Sequence, residues 1–376
     1  AADESCRKVK IGSMDITAHE SLTWKYILNQ LISGQDLGSR HVDWAMDEIM
    51  TGSTPEPILA SFLTSLHMKG ETSEELGALA RGMLAKAETI DLDVHAVDIV
   101  GTGGDQQNTV NISTMAALVI AGTGATVVKH GNRASTSKSG SADVLEALGI
   151  QLDMPIKSVA ACARQVGITF LFAMTFHPSM RFVGPTRKML GIPTAFNYLG
   201  PMTNPARVSS SAIGVANPQM VEKMAWVFAN RGDHALIFRG DDGLDELTIA
   251  TTSQIWEASG GTLQKYVFNP EGYGIERSSL DNLRGGDAEY NASVFRAVLA
   301  GEGESAKDSL HAIRNAVLIN AAAGLIAYRK NDGRSFEERY TEALADARQS
   351  IDTGAAAQVL NAWVEFSHLV VETPSL

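Results

Sequence analysis

The sequence predicts an α/β fold in which a small all-helical lobe precedes a larger lobe with a central, mainly parallel sheet flanked by helices. Two observations support this prediction. From residue 22 to residue 86 the apolar residues recur at helical spacing, and after residue 98 short apolar strand patterns alternate with helical ones. Because parallel strands are joined by helical crossovers, such alternation indicates a parallel sheet. We place the helical domain at residues 1–93 and the α/β domain at residues 94–376.

Four helices are expected in the N-terminal part. Apolar residues between positions 24 and 32 recur every three or four residues, and Ser39 is expected to cap a second helix. A third helix extends over residues 55–69 and ends at Gly70, and Ser73 is expected to cap the fourth. Residues 1 to about 20 carry charge without a clear period, and we assign them no function.

The alternating part gives the following elements. Strands are predicted at residues 97–100, 125–129, 168–172, 211–215, 235–238, 248–252 and 264–268. Helices are predicted at residues 113–122, 141–148, 156–166, 181–190, 218–231, 290–300, 305–327, 335–350 and 354–369. In open sheets of this kind a ligand lies beyond the carboxyl ends of the strands, which directs attention to the loops that follow them.

Composition excludes several classes of protein. The chain has 376 residues, 44% of them hydrophobic, and a formal net charge of −12, which argues against a nucleic-acid binder. The two cysteines, Cys6 and Cys162, are far apart and have no metal-ligand spacing, as expected in a reducing cytoplasm. We see no apolar run approaching the roughly 20 residues of a membrane span. We therefore expect a cytoplasmic protein that contacts neither nucleic acid nor membrane.

The clearest local feature is a glycine-rich turn, GTGGD at residues 101–105, between a strand pattern and a helix pattern. Gly101, Gly103 and Gly104 give the backbone conformational freedom and let a ligand approach main-chain N–H groups. Ser113 lies near the expected start of the next helix, where unpaired N–H groups and the helix dipole favour anions. This stretch is a candidate phosphate site.

Two further motifs follow. The second strand leads into KHGNR at residues 129–133 and then into a run of hydroxyls and small residues, ASTSKSG, at 134–140. Asp245 and Glu246 follow a tight GDDG turn, and adjacent carboxylates on a loop can both reach hydrated Mg²⁺, which prefers oxygen ligands. An isolated acidic pair more often lies on the solvated surface, so the pair alone does not establish a metal site.

In this order and spacing, GTGGD, NIST at residues 111–114 and KHGNR resemble the anthranilate phosphoribosyltransferases of tryptophan biosynthesis. The resemblance continues through His177-Pro178, Arg187, residues 196–206 and residues 241–248, so it covers most of the chain. It implies the fold of the nucleoside phosphorylase-like phosphoribosyltransferases. It also implies transfer of the 5-phosphoribosyl group from 5-phosphoribosyl 1-diphosphate (PRPP) to the amine of anthranilate. The products would be N-(5-phosphoribosyl)anthranilate and diphosphate, in the second step of tryptophan biosynthesis from chorismate.

The resemblance also implies the site residues. PRPP is expected to contact Gly101, Gly104, Asp105, Thr109, Asn111, Ile112, Ser113, Thr114, Lys129, His130, Gly131, Asn132, Arg133, Ser135, Ser137 and Ser141. Anthranilate is expected to contact Gly101, Asn132 and Arg187, and a pair of Mg²⁺ ions per chain is expected at Ser113, Asp245 and Glu246. No general acid or base is assigned, because the amine of anthranilate is neutral and nucleophilic at physiological pH. His130 either lines the acceptor's path or fixes its loop by hydrogen bonds, and the sequence leaves both interpretations open.

The resemblance further implies how the chain is organised. Residues from about 180 to 205 would join the helical domain, and residues 94–376 would form the catalytic domain that binds PRPP. We expect a homodimer through the helical lobe, because its helices carry more apolar positions than a small bundle can bury. Since both substrates are anions, local cations must reverse the negative charge of the chain within the cleft, together with the metal. The candidate cations are Lys129, Arg133, Lys138 and Arg187.

Two other functions share features with this sequence. A pyrimidine nucleoside phosphorylase is similar in fold and also has a glycine-rich phosphate loop, but KHGNR and the acidic pair argue against it. A non-catalytic relative that binds nucleic acid is disfavoured by the acidic balance. The chain departs from the commoner family pattern at Gln106-Gln107, at Ala134-Ser-Thr and at Phe182, where relatives often carry histidine. These departures bear on the flexibility of the first loop and on affinity for the acceptor.

Overall fold

The structure, a computed structural model, describes residues 22–134, 138–303, 309–329 and 331–372. Its N-terminal part is all-helical, as predicted. The four helices are α1 (Trp24–Ile32), α2 (Ser39–Met50), α3 (Glu56–Lys69) and α4 (Ser73–Ala85).

Two of the predicted helix caps in this lobe are wrong by one residue. Helix α2 starts at Ser39 itself, with Gly38 as its N-cap. Helix α4 is capped by Thr72, whose Oγ1 accepts a hydrogen bond of 3.1 Å from Glu75 N. Glu75 Oε2 in turn accepts one of 2.9 Å from Thr72 N. The glutamate that completes such a capping box stands three residues after Thr72, not after Ser73, and this selects the threonine.

The larger lobe is built on one seven-stranded sheet with the order β3-β2-β1-β4-β5-β6-β7. The strands are β1 (Val97–Gly101), β2 (Val127–Gly131), β3 (Ile168–Phe172), β4 (Ser210–Gly214), β5 (His234–Gly240), β6 (Ser253–Ser259) and β7 (Thr262–Phe268). Strands β1 to β5 pair in parallel, and β6 and β7 are antiparallel to their neighbours. The predicted fold class, with a mainly parallel central sheet, is confirmed.

The helices of this part are α5 (Ile112–Gly122), α6 (Ser141–Ala147), α7 (Ile156–Val166), α8 (Ala173–Phe176), α9 (Gly184–Leu190), α10 (Phe196–Leu199), α11 (Pro218–Arg231), α12 (Ala288–Leu299), α13 (Ser309–Tyr328), α14 (Phe336–Asp352) and α15 (Ala355–Glu372). Alternate residues of the central strands face two different layers. Ile99 and Leu236 belong to an apolar cluster with α5 and α13, whereas Ile213 and Ile237 belong to one with α11 and the N-terminal helices. The helical lobe and the sheet therefore share one continuous apolar cluster.

Three predicted elements differ from the structure. No strand forms at residues 248–252. Thr248 Oγ1 donates to Asp242 Oδ2 at 2.6 Å and Thr248 N donates to Ser253 Oγ at 3.1 Å, so side-chain bonds hold this segment in bends before β6. Strand β2 lies two residues later than predicted, which puts His130 in the sheet instead of a loop.

The helix predicted at residues 181–190 is divided. A 3₁₀ turn spans Pro178–Phe182, and α9 begins at Gly184. Pro185 has no N–H to donate to the carbonyl of Arg181, so the earlier turn cannot continue as an α-helix through this position, which explains the break.

Helix α13 corrects the expectation about apolar runs. Among the described residues it is the one helix long and apolar enough to cross a membrane by length and composition, with a mean hydropathy of 1.4. However, 83% of that stretch is buried inside the protein, where it packs against α5 and α14. Its apolar character is accounted for by its place in the core.

Candidate active site

The carboxyl ends of β1 and β4 meet the turn that carries Asp245 and Glu246. A Cβ added at Gly101 would lie 2.3 Å from Asp245 Oδ2, and one at Gly214 would lie 1.6 Å from Asp245 O. Both glycines are therefore required by the approach of this turn, whatever ligand binds nearby. This gives Gly101 a structural role that the sequence did not reveal.

The acidic pair contacts the glycine-rich turn and the start of the helix that follows it. Gly103 N donates to Asp245 Oδ2 at 2.7 Å, and Ser113 N, at the start of α5, donates to Glu246 Oε1 at 3.2 Å. The structure thus brings together Ser113, Asp245 and Glu246, although the serine and the glutamate are 133 positions apart in the chain. These are the three candidate metal ligands.

Lys129 lies in the middle of this arrangement and is only 1% exposed. Its ammonium group donates to Ile99 O and lies 3.4 Å from Ser113 Oγ. Around it are Asp98, Asp245 and Glu246, with Asp105 next to Asp245. We call Asp98, Asp105, Lys129, Asp245 and Glu246 the carboxylate cluster.

Four carboxyl groups and one ammonium group make this cluster electrostatically incomplete. Burial and the neighbouring Asp105 raise the pKa of Asp245 to about 7. Burial and Asp245 likewise raise the pKa of Glu246 well above its usual value, although Lys129 opposes the shift. Glu246 Oε2 is buried and has no hydrogen-bond partner among the described residues. Each observation indicates too little positive charge for the carboxylates present.

This donor set fits a hydrated divalent cation. Carboxylate and hydroxyl oxygens are the ligands that Mg²⁺ prefers, and the ion usually keeps several waters and binds substrate phosphates. In the described part of the chain, no group of three or more His, Cys, Asp or Glu side chains forms a full metal site. The protein would therefore supply a partial ligand set and leave the remaining positions to water and substrate.

The first glycine loop has an unusual backbone. Gly103 and Gly104 have φ values of 70° and 86°, and the non-glycine residues Gln106 and Asn108 have φ values of 60° and 53°. A side chain in this left-handed region costs roughly 1–2 kcal/mol. The departure from the family's glycine at Gln106 therefore places a residue with a Cβ where the backbone favours glycine.

Asn111 links this loop to the second one. Its Nδ2 donates to Ser139 O at 3.0 Å, and its Oδ1 accepts from Asn291 Nδ2 at 2.9 Å. Its side chain makes no capping bond to α5. Ile112 contributes its side chain to the apolar core, so only its main chain is available to a ligand, and Thr114 is likewise buried.

The remaining predicted donor residues lie along this edge. Gly104 is exposed, Asp105 Oδ1 accepts from Gln107 N at 3.2 Å, and Thr109 forms a single bridge to Arg284. Asn132 is exposed, Gly131 ends β2, and Ser141 starts α6. Ser135 and Ser137 lie outside the described residues.

The two predicted arginines differ in their surroundings. Arg133 pairs with Asp143 at 3.1 Å and with Glu146 at 2.6 Å, both on α6. Arg187 lies 3.3 Å from the amide oxygen of Asn197 and over the ring of Phe196, and within the described residues it has no ion pair with a carboxylate. Burial lowers the pKa of Arg187. Arg187 is thus a partly buried cation whose charge is available to a ligand, whereas Arg133 is neutralised on the surface.

His130 has a partner that bears on its role. Its Nδ1 donates to Gly200 O at 3.0 Å, and its ring lies 5.0 Å from that of His177, whose Nε2 donates to Thr203 O at 2.9 Å. Burial lowers the pKa of His130 to about 3 and that of His177 to about 4, so both rings are neutral. The bond to Gly200 supports the interpretation in which His130 fixes its loop.

Several residues at the site were not assigned from sequence. Asp98, Asn197, Asn204 and His177 all contact predicted site residues or their strands. One signal was present: an acidic residue inside the apolar pattern of β1 is expected to be buried with a partner. The identity of that partner was not visible, because Asn204 lies 106 positions away.

Comparison with known proteins agrees with this geometry. The profile of the glycosyl transferase family α/β domain matches residues 93–357, and that of the family's helical bundle domain matches residues 25–87. Anthranilate phosphoribosyltransferase of Arthrobacter sp. (strain FB24) is 53% identical over 342 residues, which are 91% of this chain and 95% of the relative. The chain belongs to the anthranilate phosphoribosyltransferase family.

Solved structures of the family have the same fold. The anthranilate phosphoribosyltransferase of Thermus thermophilus is 36% identical, with a TM-score of 0.83 over 91% of this chain and 99% of that one. The Saccharomyces cerevisiae enzyme in complex with PRPP and Mg is 28% identical, with the same TM-score over 93% and 99% of the two chains. Members of the anthranilate phosphoribosyltransferase family thus share both lobes with this chain.

Proposed function

We propose that this chain transfers the 5-phosphoribosyl group from PRPP to the amine of anthranilate, giving N-(5-phosphoribosyl)anthranilate and diphosphate. The observation that carries the proposal is the carboxylate cluster at the glycine loop, where buried oxygen ligands and one lysine surround the start of α5. A site with these groups suits a substrate whose leaving group is a diphosphate bound to a divalent cation. The reaction is the second step of tryptophan biosynthesis from chorismate.

The donor side would act through position and charge. Transfer of a ribosyl group passes through a cationic sugar, so the protein must hold the departing diphosphate and stabilise its negative charge. Lys129 supplies an ammonium group beside Ser113, and the positive end of the α5 dipole favours the negative charge of the phosphates. Mg²⁺, held by Ser113, Asp245 and Glu246, would supply the further positive charge, in agreement with the Mg in the yeast complex. We propose a pair of such ions per chain.

The acceptor side would rely on Arg187. A planar guanidinium binds a carboxylate through two parallel hydrogen bonds, and Arg187 has an uncharged partner in Asn197. Its charge is therefore free to pair with the carboxylate of anthranilate. The yeast relative has been crystallised with 4-fluoroanthranilate. Gly101 and Asn132 would complete the acceptor contacts, as the family resemblance implies.

The site needs no strong general base. The acceptor amine is neutral, and His130 and His177 are neutral rings already engaged by main-chain carbonyls. The proton released from the amine can pass to solvent or to the departing diphosphate. The protein's contribution is therefore alignment of the amine with the anomeric carbon, which alone can accelerate a bimolecular reaction strongly.

We further propose a cytoplasmic homodimer that associates through the helical lobe. Ile32 on α1, Met68 on α3 and Met189 on α9 are 74%, 82% and 69% exposed, and a partner would cover such side chains. The domain boundary would lie near residue 93, with residues 180–205 joining the helical domain. Light scattering tests the dimer, since a mass near that of one chain at micromolar concentration contradicts it.

The function is tested by the fluorescence of anthranilate. Adding the protein to anthranilate, PRPP and Mg²⁺ should abolish the signal, and omission of PRPP or chelation of the metal should preserve it. The alternative phosphorylase activity is tested in parallel with a pyrimidine nucleoside and phosphate, where no free base should appear. Release of base, with anthranilate unconsumed, would overturn the proposal.

A further inference from the structure

Backbone pairing between strands β1 and β2 ends soon after the two strands begin. They are in register only at Val97 and Val127, whereas β1 and β4 are in register over five residue pairs. Beyond that point side chains bridge the two strands. His130 N donates to Asp98 Oδ1 at 3.2 Å, and the ammonium group of Lys129 donates to Ile99 O. Lys129 therefore contacts β1 at a position beyond the end of the backbone pairing.

Asp98 is the central residue of this bridge. It is fully buried, and its second oxygen, Oδ2, accepts a hydrogen bond of 2.9 Å from Asn204 Nδ2. A buried carboxylate in a central strand is costly without partners, and here the main-chain N–H of His130 and the side-chain amide of Asn204 are its hydrogen-bond partners.

Asn204 completes the bridge from the other side. Its Nδ2 also donates to Val128 O at 2.8 Å, and its Oδ1 accepts from Ala206 N at 3.0 Å, so the amide has one fixed orientation. The segment that ends at Asn204 also supplies Gly200 O, which holds His130. Both β2 and the KHGNR residues are therefore held by contacts to Asp98 and to this segment.

We propose that Asp98 and Asn204 are positioning residues of the donor site, which hold β1 and β2 together beyond their backbone pairing so that Lys129 points at the diphosphate of PRPP. This inference rests on the proposed function. Neither residue is placed to touch substrate, and both act through Lys129 and His130. Their loss should therefore weaken the donor site and leave the acceptor site, built on Arg187 and Asn197, unaffected.

The experiment compares Asp98→Asn and Asn204→Ala with Glu257→Gln. Glu257→Gln is the matched control, because it also converts a buried sheet carboxylate to an amide, on β6 and away from this bridge. For Asp98→Asn we expect the KM for PRPP to rise about 10- to 100-fold, with less than about a threefold change in the KM for anthranilate. Asn204→Ala should have the same pattern. Glu257→Gln should lower stability without changing either constant.

The two changes should also be non-additive, because they disrupt the same bridge. The double variant should raise the KM for PRPP no more than about threefold beyond the larger single effect. Equal rises in both constants, or an unchanged KM for PRPP in a folded variant, would overturn the inference. If Asp98→Asn does not fold, the two KM values of Asn204→Ala test the inference by themselves. Failure of the proposed function can be told apart from failure of this inference, because in that case the unchanged protein itself would consume no anthranilate.

Discussion

Two buried charge clusters on the same sheet differ in how fully they are compensated. The first is the carboxylate cluster. The second, the Glu257 network, consists of Glu257 on β6, Arg339 on α14, His234 on β5 and Tyr266 on β7. Arg339 donates to both oxygens of Glu257 at 2.7 and 2.8 Å, and His234 Nε2 and Tyr266 OH lie 3.0 and 3.1 Å from them. Burial alone would raise the pKa of Glu257, yet Arg339 and His234 lower it to about 2.

The carboxylate cluster shows the opposite shift. There the pKa values of Asp245 and Glu246 are raised, because several carboxylates share one lysine and Glu246 Oε2 has no partner within the described residues. Both clusters are buried, so burial is not what separates them. The difference teaches that a buried carboxylate whose charge is matched by cations marks a structural cluster, whereas carboxylates that outnumber their cations mark a cluster that binds a charged ligand.

The largest effect is expected from Glu257→Gln. The change leaves Arg339 buried without its carboxylate, and breaking a buried pair in this way costs about 3–5 kcal/mol in the free energy of unfolding. Urea unfolding measures it. Glu222→Gln is the matched control, because Glu222 pairs with Lys265 on the surface, where loss of a pair costs at most about 1 kcal/mol. Equal costs for the two variants would contradict the comparison.

The second prediction concerns pH. Glu257 has a pKa of about 2 in the folded chain and an ordinary pKa of 4.5, so the unfolded chain binds its proton first as the pH falls. Its contribution, about 3 kcal/mol, is fully present above pH 4.5 and is lost as the pH falls toward 2. The stability difference between the unchanged protein and Glu257→Gln should be constant from about pH 8 to pH 5 and shrink below that. The urea midpoints of both proteins, measured across this pH range, test whether the stability difference changes with pH as expected.

The third prediction is the loss of turnover in Asp245→Asn with Glu246→Gln. Removal of both carboxylates from the metal site should lower kcat by about 100-fold and shift the Mg²⁺ dependence to higher concentration. Asp241→Asn is the control, since Asp241 is an exposed residue of the preceding turn. Unchanged activity and metal dependence in the double variant would show that the metal is held elsewhere.

The fourth prediction is Arg187→Ala. Loss of a charge-assisted pair costs about 1.5–3 kcal/mol, so the KM for anthranilate should rise by roughly one to two decades while that for PRPP changes little. Arg181→Ala is the matched control, because Arg181 stands over the ring of Phe182 in the preceding 3₁₀ turn. If only the KM for PRPP rises, Arg187 does not bind the acceptor.

Local patterns predicted much of this molecule. The period of apolar residues located every strand of the parallel part, and the glycine turns marked the edge where the site lies. The prediction failed where side chains override period, as at residues 248–252, where Thr248 bonds to Asp242 and Ser253 in place of a strand. Asp98 and Asn204 were missed for a different reason. Their pairing depends on tertiary contact over 106 positions, which one sequence does not show.

The central claim is that the carboxylate cluster is incomplete without a cation. The most direct test is the free energy of unfolding, without metal or substrate at pH 8, of the Asp245→Asn, Glu246→Gln variant against the unchanged protein. Replacing uncompensated buried carboxylates by amides should stabilise the fold by about 1 kcal/mol or more, whereas Glu257→Gln destabilises it. Opposite signs for the two variants are the predicted result. A double variant destabilised as much as Glu257→Gln would show that the carboxylate cluster is already complete and would contradict the account.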